Sequence, residues 1–267
     1  MFASWGIETR TVEPFDTRYP HSNKLRQLES AAIHAADYVV LCDCDTVFCA
    51  DISPWIVGNS IRARTPSYAG LTTRQWERLF RRANLNPPTL RIKSLLDGRD
   101  TLPIYCNGAL LIIPQRTLQS LRPVWPKWAR WLSDLPELLG PLDTYIDQIS
   151  FTLSCAELNL TIDQLPAELN FPVRISPSGK LYRAGAGTSF SPLVLHHHRR
   201  TPAGFLTMTA TSCLNRQIRR INRLIRSIRR STFQKPDAFR EDAMEHRVRE
   251  RLSVRTPPRA LAWRHNR

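Results

Sequence analysis

The alternation of apolar and polar positions along the chain predicts short strands interleaved with helices. Residues 7–12 read as a short strand closed by Pro14. Leu25, Leu28, Ala32 and Ile33 recur at helical spacing, which predicts a helix over 22–36 with Ser22 as its N-cap. Residues 38–41 form a short unbroken apolar run, the pattern of a central strand buried on both faces of a parallel sheet. Strand, helix and strand in that order are the repeating unit of such a sheet.

Further along, Thr72 and Gln75 have the spacing of a capping box, which predicts a helix through Arg82 that breaks at 84–88. An Asn107–Gly108 kink leads into a second apolar strand over 109–113. Glycine there permits a close approach that a Cβ would prevent. A helix should follow from Gln115, interrupted by Pro123 and Pro126. Trp125, Trp128 and Trp131 recur every three residues, as a stripe of core packing does. Asp143 is the expected N-cap of a helix through Leu158, followed by a strand over 160–165 and a loop over 166–172. The glycines of 176–187 mark a loop, and 192–196 form a last apolar strand that runs into three histidines. Helices are expected over 215–230, where isoleucines alternate with arginines, and over 237–252.

Charge divides the chain. Residues 1–198 carry 20 Lys and Arg against 18 Asp and Glu, whereas 199–267 carry 18 against 5. The net charge of +15 therefore belongs almost wholly to the C-terminal part. We expect a near-neutral domain over 1–204 and a basic helical tail over 205–267. No run of eighteen apolar residues and no apolar leader is visible, so the cytoplasm is the expected location. The cysteine cluster Cys42, Cys44 and Cys49 has no second pair at zinc-ligand spacing, and no disulfide framework is expected in that compartment.

The strand at 38–41 ends in Asp43 and Asp45. Open α/β sheets place ligands at the carboxyl ends of their strands. Side chains two apart on an extended strand point the same way, so two carboxylates would converge. That is costly unless a cation lies between them. Mn²⁺ or Mg²⁺ suits oxygen ligands and keeps positions open for phosphate.

The ordered set NKLRQL at 23–28, YVVLCDCDTVF at 38–48, YCNGALLIIP at 105–114, DQISF at 147–151, LPAELNF at 165–171 and LVLHHH at 193–198 resembles the metal-dependent nucleotide-sugar glycosyltransferases, glycogenin-like and galactosyltransferase-like. The resemblance covers about residues 5–205. It implies the α/β nucleotide-diphospho-sugar transferase fold (A-type, Rossmann-like), with a mixed sheet and flanking helices. It further implies a nucleotide-sugar donor, a hydroxyl acceptor and hexose transfer. By resemblance, Asp43, Asp45 and His196 hold the metal, with His198 as the second choice for the histidine. Asp43 and Lys24 also meet the nucleotide or its phosphates, Asn107 and Gly108 line the donor sugar, and Asp147 and Gln148 face its anomeric region. Asp147 is expected either to bind sugar hydroxyls or to act as a base toward the acceptor. Family members usually begin with a further strand and helix that grip the base. Only a few residues precede the second unit here, so the expectation is either a chain truncated at its start or a domain without that base-binding edge.

Two other readings compete. A haloacid-dehalogenase-like phosphatase would use Asp43 as nucleophile and Asp45 as acid, but the Asp-Asp or Gly-Asp-x-x-x-Asp that such a site needs is not in the sequence. Alternatively, the domain is catalytically impaired and the basic tail does the binding. Arg216, Arg219, Arg220, Arg223, Arg226, Arg229 and Arg230 would suit a peripheral contact with an anionic membrane. Nucleic acid is the less favoured partner, because few aromatics are available to stack on bases.

Overall fold

The structure is a computed structural model that describes residues 7–30, 35–95, 97–166, 168–172, 192–196 and 212–233. Its strands are β1 (Tyr38–Cys42), β2 (Thr46–Phe48), β3 (Ile61–Ala63), β4 (Ile92–Lys93), β5 (Asp100–Thr101), β6 (Leu110–Pro114), β7 (Ile162–Gln164), β8 (Phe171–Pro172) and β9 (Val194–His196). Its helices are α1 (Thr73–Arg82), α2 (Gln115–Ser133), α3 (Ile146–Glu157) and α4 (Ser212–Phe233). The expected loop at 176–187, the helix at 237–252, His198 and helical positions 31–34 lie outside the described residues. The chain divides into two compact units, Met1–Ile225 and Arg226–Arg267.

The fold is mixed α/β, as the pattern implied. A four-stranded sheet runs in the order β1-β6-β3-β7, with β6 antiparallel to both neighbours and β7 parallel to β3. A second sheet runs β2-β9-β8, and β4 pairs with β5 in a hairpin. Among the described residues, β1 is an edge strand paired antiparallel to β6, not the central parallel strand its composition suggested. Its apolar run still has a physical reason, because both faces are covered. Val39 and Leu41 pack on the main core, while Tyr38, Val40 and Cys42 pack on the smaller core shared with β6 and β9.

Four local expectations are corrected. Residues 7–12 form no strand, and Ile7 and Val12 are exposed, so a strand–helix–strand unit does not open the domain. Residues Pro20–Glu29 are a 3-10 helix. There Ser22 is no N-cap but a buried residue whose hydroxyl donates to the Tyr19 carbonyl. Helix α2 runs unbroken through Pro123 and Pro126. A proline removes the helical donor for the carbonyl four residues back; here these belong to Gln119, which is exposed, and Arg122, which is half-buried. On its other side Leu118, Leu121, Trp125, Ala129 and Leu132 are buried in the main core and hold the helix together. Finally, Asp143 lies within a 3-10 turn, Gly140–Tyr145, and α3 begins at Ile146 without a side-chain cap.

The tryptophan stripe is core packing, as its spacing suggested. Trp125 does more than fill space, because its Nε1 donates to the Asp147 carbonyl and the Ser150 hydroxyl, each at 3.0 Å, and so fixes the start of α3. The capping box of α1 is present as read, with Thr72 accepting from the Gln75 N–H and the Gln75 side chain reaching back. We expect Thr72→Ala to cost about 1 kcal/mol, measured by urea unfolding, as for a lost N-cap. Trp125→Ala should cost about 3–5 kcal/mol, because it opens a cavity in the core as well as deleting two hydrogen bonds.

Candidate functional site

The apolar β1 stops at Cys42, and the chain turns back at once. The Asp43 N–H donates to the Ala109 carbonyl at 3.1 Å, and both the Thr46 N–H and the Thr46 hydroxyl donate to the Asp43 carbonyl, at 3.2 and 2.8 Å. Asp43 and Asp45 therefore sit in a tight turn between β1 and β2. They converge because the turn folds them together, not because an extended strand alternates its side chains.

Strand β2 carries this turn against β9 in the register Thr46↔His196. That pairing brings the late histidine to the acidic pair. His196 Nε2 lies 3.4 Å from Asp45 Oδ1, and Asp43, Asp45 and His196 each offer a ligand atom within 4.8 Å of the other two. Two carboxylate oxygens and an imidazole nitrogen, gathered at one end of a sheet, suit Mn²⁺ or Mg²⁺ with positions left open. Cys42 is half-buried with its thiol pushed up by burial, and Cys106 is buried with its thiol pushed up to about 12.

A second cluster adjoins the first. Lys24, from the Pro20–Glu29 helix, places Nζ 2.8 Å from Asp43 Oδ1 and 2.7 Å from Asp147 Oδ2. The Lys24 and Asp147 side chains are only 17% and 3% exposed, so the pair is largely removed from water. Burial alone would favour neutral lysine. The carboxylates of Asp147 and Asp43 outweigh it and hold the ammonium above the ordinary lysine value. Gly108 passes directly over this cluster. A Cβ there would lie 3.3 Å from Lys24 Nζ, from Asp147 Oδ2 and from Gln148 Cγ, so these neighbours would have to give by a few tenths of an ångström. Close approach favours the glycine here, with no positive φ involved.

The Asn107 Oδ1 accepts from the Ala109 N–H at 3.0 Å and from the Asn170 amide at 2.9 Å. Its oxygen is committed, which leaves its NH₂ to offer a ligand. Lys24, Asp43, Asp45, Asn107, Asp147, Gln148 and His196 all line one cleft of about 970 Å³, and Gly108 borders it through the contacts above. Every described site residue expected from the sequence is therefore gathered in one place.

The sequence reading missed three contributors. Tyr68 and Arg99 also line the cleft, from the segment between β3 and β6. The hairpin β4–β5 is tied to this wall by the Leu95 N–H donating to the Pro66 carbonyl and by the Thr101 hydroxyl donating to the Ala69 carbonyl. Tyr105 is buried at the cleft wall beneath Gly70, whose φ of +67° lets the backbone cross the ring. Burial and the nearby Asp147 charge push the Tyr105 phenol up, so it stays protonated. No periodicity signals Tyr68 or Arg99. Tyr105 and Asn170, by contrast, lie within the quoted YCNG and LPAELNF segments.

A family model described as the Rhodobacterales glycosyltransferase domain matches residues 1–159. Among solved structures, the apo form of mouse xyloside xylosyltransferase 1 is similar at 14% identity with a TM-score of 0.40. The match covers 68% of this chain and 65% of that one. A search of curated proteins finds no match. The family model spans more than half of the sequence, and the chain belongs to the Rhodobacterales glycosyltransferase domain family.

Proposed function

We propose that this glycosyltransferase moves a hexose from a nucleotide diphosphate sugar to an acceptor hydroxyl, with Mn²⁺ or Mg²⁺ held by Asp43, Asp45 and His196. The observation that carries the reading is the convergence of these three ligand atoms within 4.8 Å in the lining of the cleft. A divalent ion bound there neutralises the charge that develops on the departing nucleoside diphosphate.

The protein's own side chains divide the remaining work. Lys24 ties Asp43 to Asp147 and so fixes the metal-side carboxylate relative to the sugar side. Asp147, buried and held by the Lys24 ammonium at 2.7 Å, is fixed in place to accept hydrogen bonds from donor-sugar hydroxyls. Asn107, oriented by Asn170 and the Ala109 N–H, presents its NH₂ to the same sugar. Gln148, one residue further into α3, lines the sugar's anomeric side.

The phosphatase alternative asks Asp43 to act as a free nucleophile. Its Oδ1 lies 2.8 Å from Lys24 Nζ, and a histidine stands beside Asp45, neither of which that chemistry requires.

For the tail, our reading is peripheral attachment to an anionic membrane on the cytoplasmic side. Arg216, Arg219, Arg220, Arg223 and Arg226 are exposed along α4, and Leu224 is 61% exposed among them. No helix among the described residues is long and apolar enough to cross a membrane.

Three outcomes are expected. Calorimetry should detect UDP or GDP binding that requires Mn²⁺ in the wild type and vanishes in Asp45→Ala; equal binding by both proteins rejects the reading. Gly108→Ala should leave the melting temperature nearly unchanged but lower transfer, by less than the roughly hundredfold cost of a displacement of about 1 Å in a reacting site, because its neighbours need give only by a few tenths of an ångström. Co-sedimentation with phosphatidylserine vesicles should fall as salt rises and should be lost in an Arg219→Glu/Arg223→Glu variant, whereas neutral vesicles should bind neither protein.

A further inference from the structure

His196 reaches Asp45 from a strand of only three residues, so what holds that strand decides where the imidazole sits. Side chains alternate across β9, which divides its residues between two faces. Val194 is buried in the small core with Leu110, Ile112, Leu165 and Leu169, and His196 lies on the same side, at the cleft. Leu195 points the other way, into a third cluster with Phe171 of β8 and Ile218 of α4. Val47, Cys49 and Ile221 close the edge of that cluster. Ile218 and Leu195 are both 0% exposed, so the helix seals the rear of the strand completely at this point. The neighbouring Gln217 adds a polar tie, its amide donating to the Pro192 carbonyl at 3.1 Å just before β9.

We propose that Ile218 is a positioning residue for His196, so that the docking of the basic helix α4 sets the affinity of the metal site. The inference rests on the metal-dependent reading above and extends it to a helix outside the cleft. It follows from the register of the second sheet. Leu195 and His196 are consecutive on β9, held in register by Val47 and Thr46, so a displacement of Leu195 is transmitted to His196. Metal-ligand sets tolerate errors of only about 0.5 Å. A void left behind Leu195 would let β9 settle backwards and draw the imidazole nitrogen away from the two carboxylates.

Mn²⁺ alone, titrated into the full chain and followed by electron paramagnetic resonance, tests this without relying on turnover. Ile218→Ala should weaken Mn²⁺ binding on the order of tenfold, the lower end of what supporting residues behind metal ligands contribute. Ile218→Val, which keeps a branched side chain against Leu195, should retain wild-type affinity. In a His196→Ala background, Ile218→Ala should have no further effect on Mn²⁺, because the ligand it positions is gone. Alkylation of Cys49, half-buried beside Ile218, should accelerate in Ile218→Ala and report the loosened contact independently. Should Ile218→Ala not fold, Gln217→Ala serves in its place, with a smaller weakening of Mn²⁺ binding in the same direction.

Unchanged Mn²⁺ affinity in Ile218→Ala, or an equal further loss in the His196→Ala background, overturns the proposal while the transferase reading stands. Failure of the wild-type protein to bind Mn²⁺ at all overturns both.

Discussion

The site depends on a single ammonium shared between two carboxylates. Lys24 comes from the Pro20–Glu29 helix, Asp43 from the turn after β1 and Asp147 from the first turn of α3. The charged groups of these three segments meet at this nitrogen. Removing one partner from a largely buried ion pair leaves an uncompensated charge, which costs about 3–5 kcal/mol. The cluster therefore constrains where the main core can place its surrounding elements. Leu25 and Leu28 bury the helix that carries Lys24, and Trp125 anchors the start of α3 through the Asp147 carbonyl. Gly108 is the consequence of that constraint, because any side chain there would meet all three neighbours of the cleft floor.

The group of Asp43, Asp45 and His196 is assembled by a different principle. Asp43 and Asp45 come together through a turn held by Thr46, and His196 joins them through the antiparallel pairing of β2 with β9. One cluster is thus fixed by a buried charge balance and the other by the register of a small sheet. Asp43 belongs to both, offering Oδ1 to Lys24 while it stands within ligand distance of Asp45 and His196. In the transfer we propose, diphosphate and sugar would be held in a fixed relation by this carboxylate common to both groups.

Much of this was legible in the sequence where a local pattern encodes a local structure. The β6 run, the α1 capping box and the β9 run all carry their own signals, and the structure forms each of them. Residues gathered by the resemblance also meet in the cleft. What misled was tertiary context. The run at 38–41 reads as central because both its faces are apolar, yet among the described residues it lies at the edge of its sheet, covered on either side by two different cores. Pro123 and Pro126 read as helix breakers, but burial of the opposite face of α2 outweighs the lost backbone bonds. Residues 7–12 have an apolar and β-branched composition suited to a strand but no described partner to pair with.

The basic helix illustrates the remaining limit of pattern reading. Periodicity showed that 215–230 has an apolar stripe and a cationic face, but not what covers the stripe. In the folded chain the stripe is divided. Ile218 is fully enclosed against Leu195 and Phe171, Ile221 is partly covered, and Leu224 one turn later is open to solvent. The burial gradient along a single helix means that its first turns belong to the body that carries the site, while its later turns leave apolar and cationic groups exposed together. An amphipathic helix of this kind can dock at one end and still present a surface at the other, because each turn's contribution is set by its own neighbours. Charge counted over the whole tail conceals this, since the arginines stay exposed whether or not the isoleucines between them are buried.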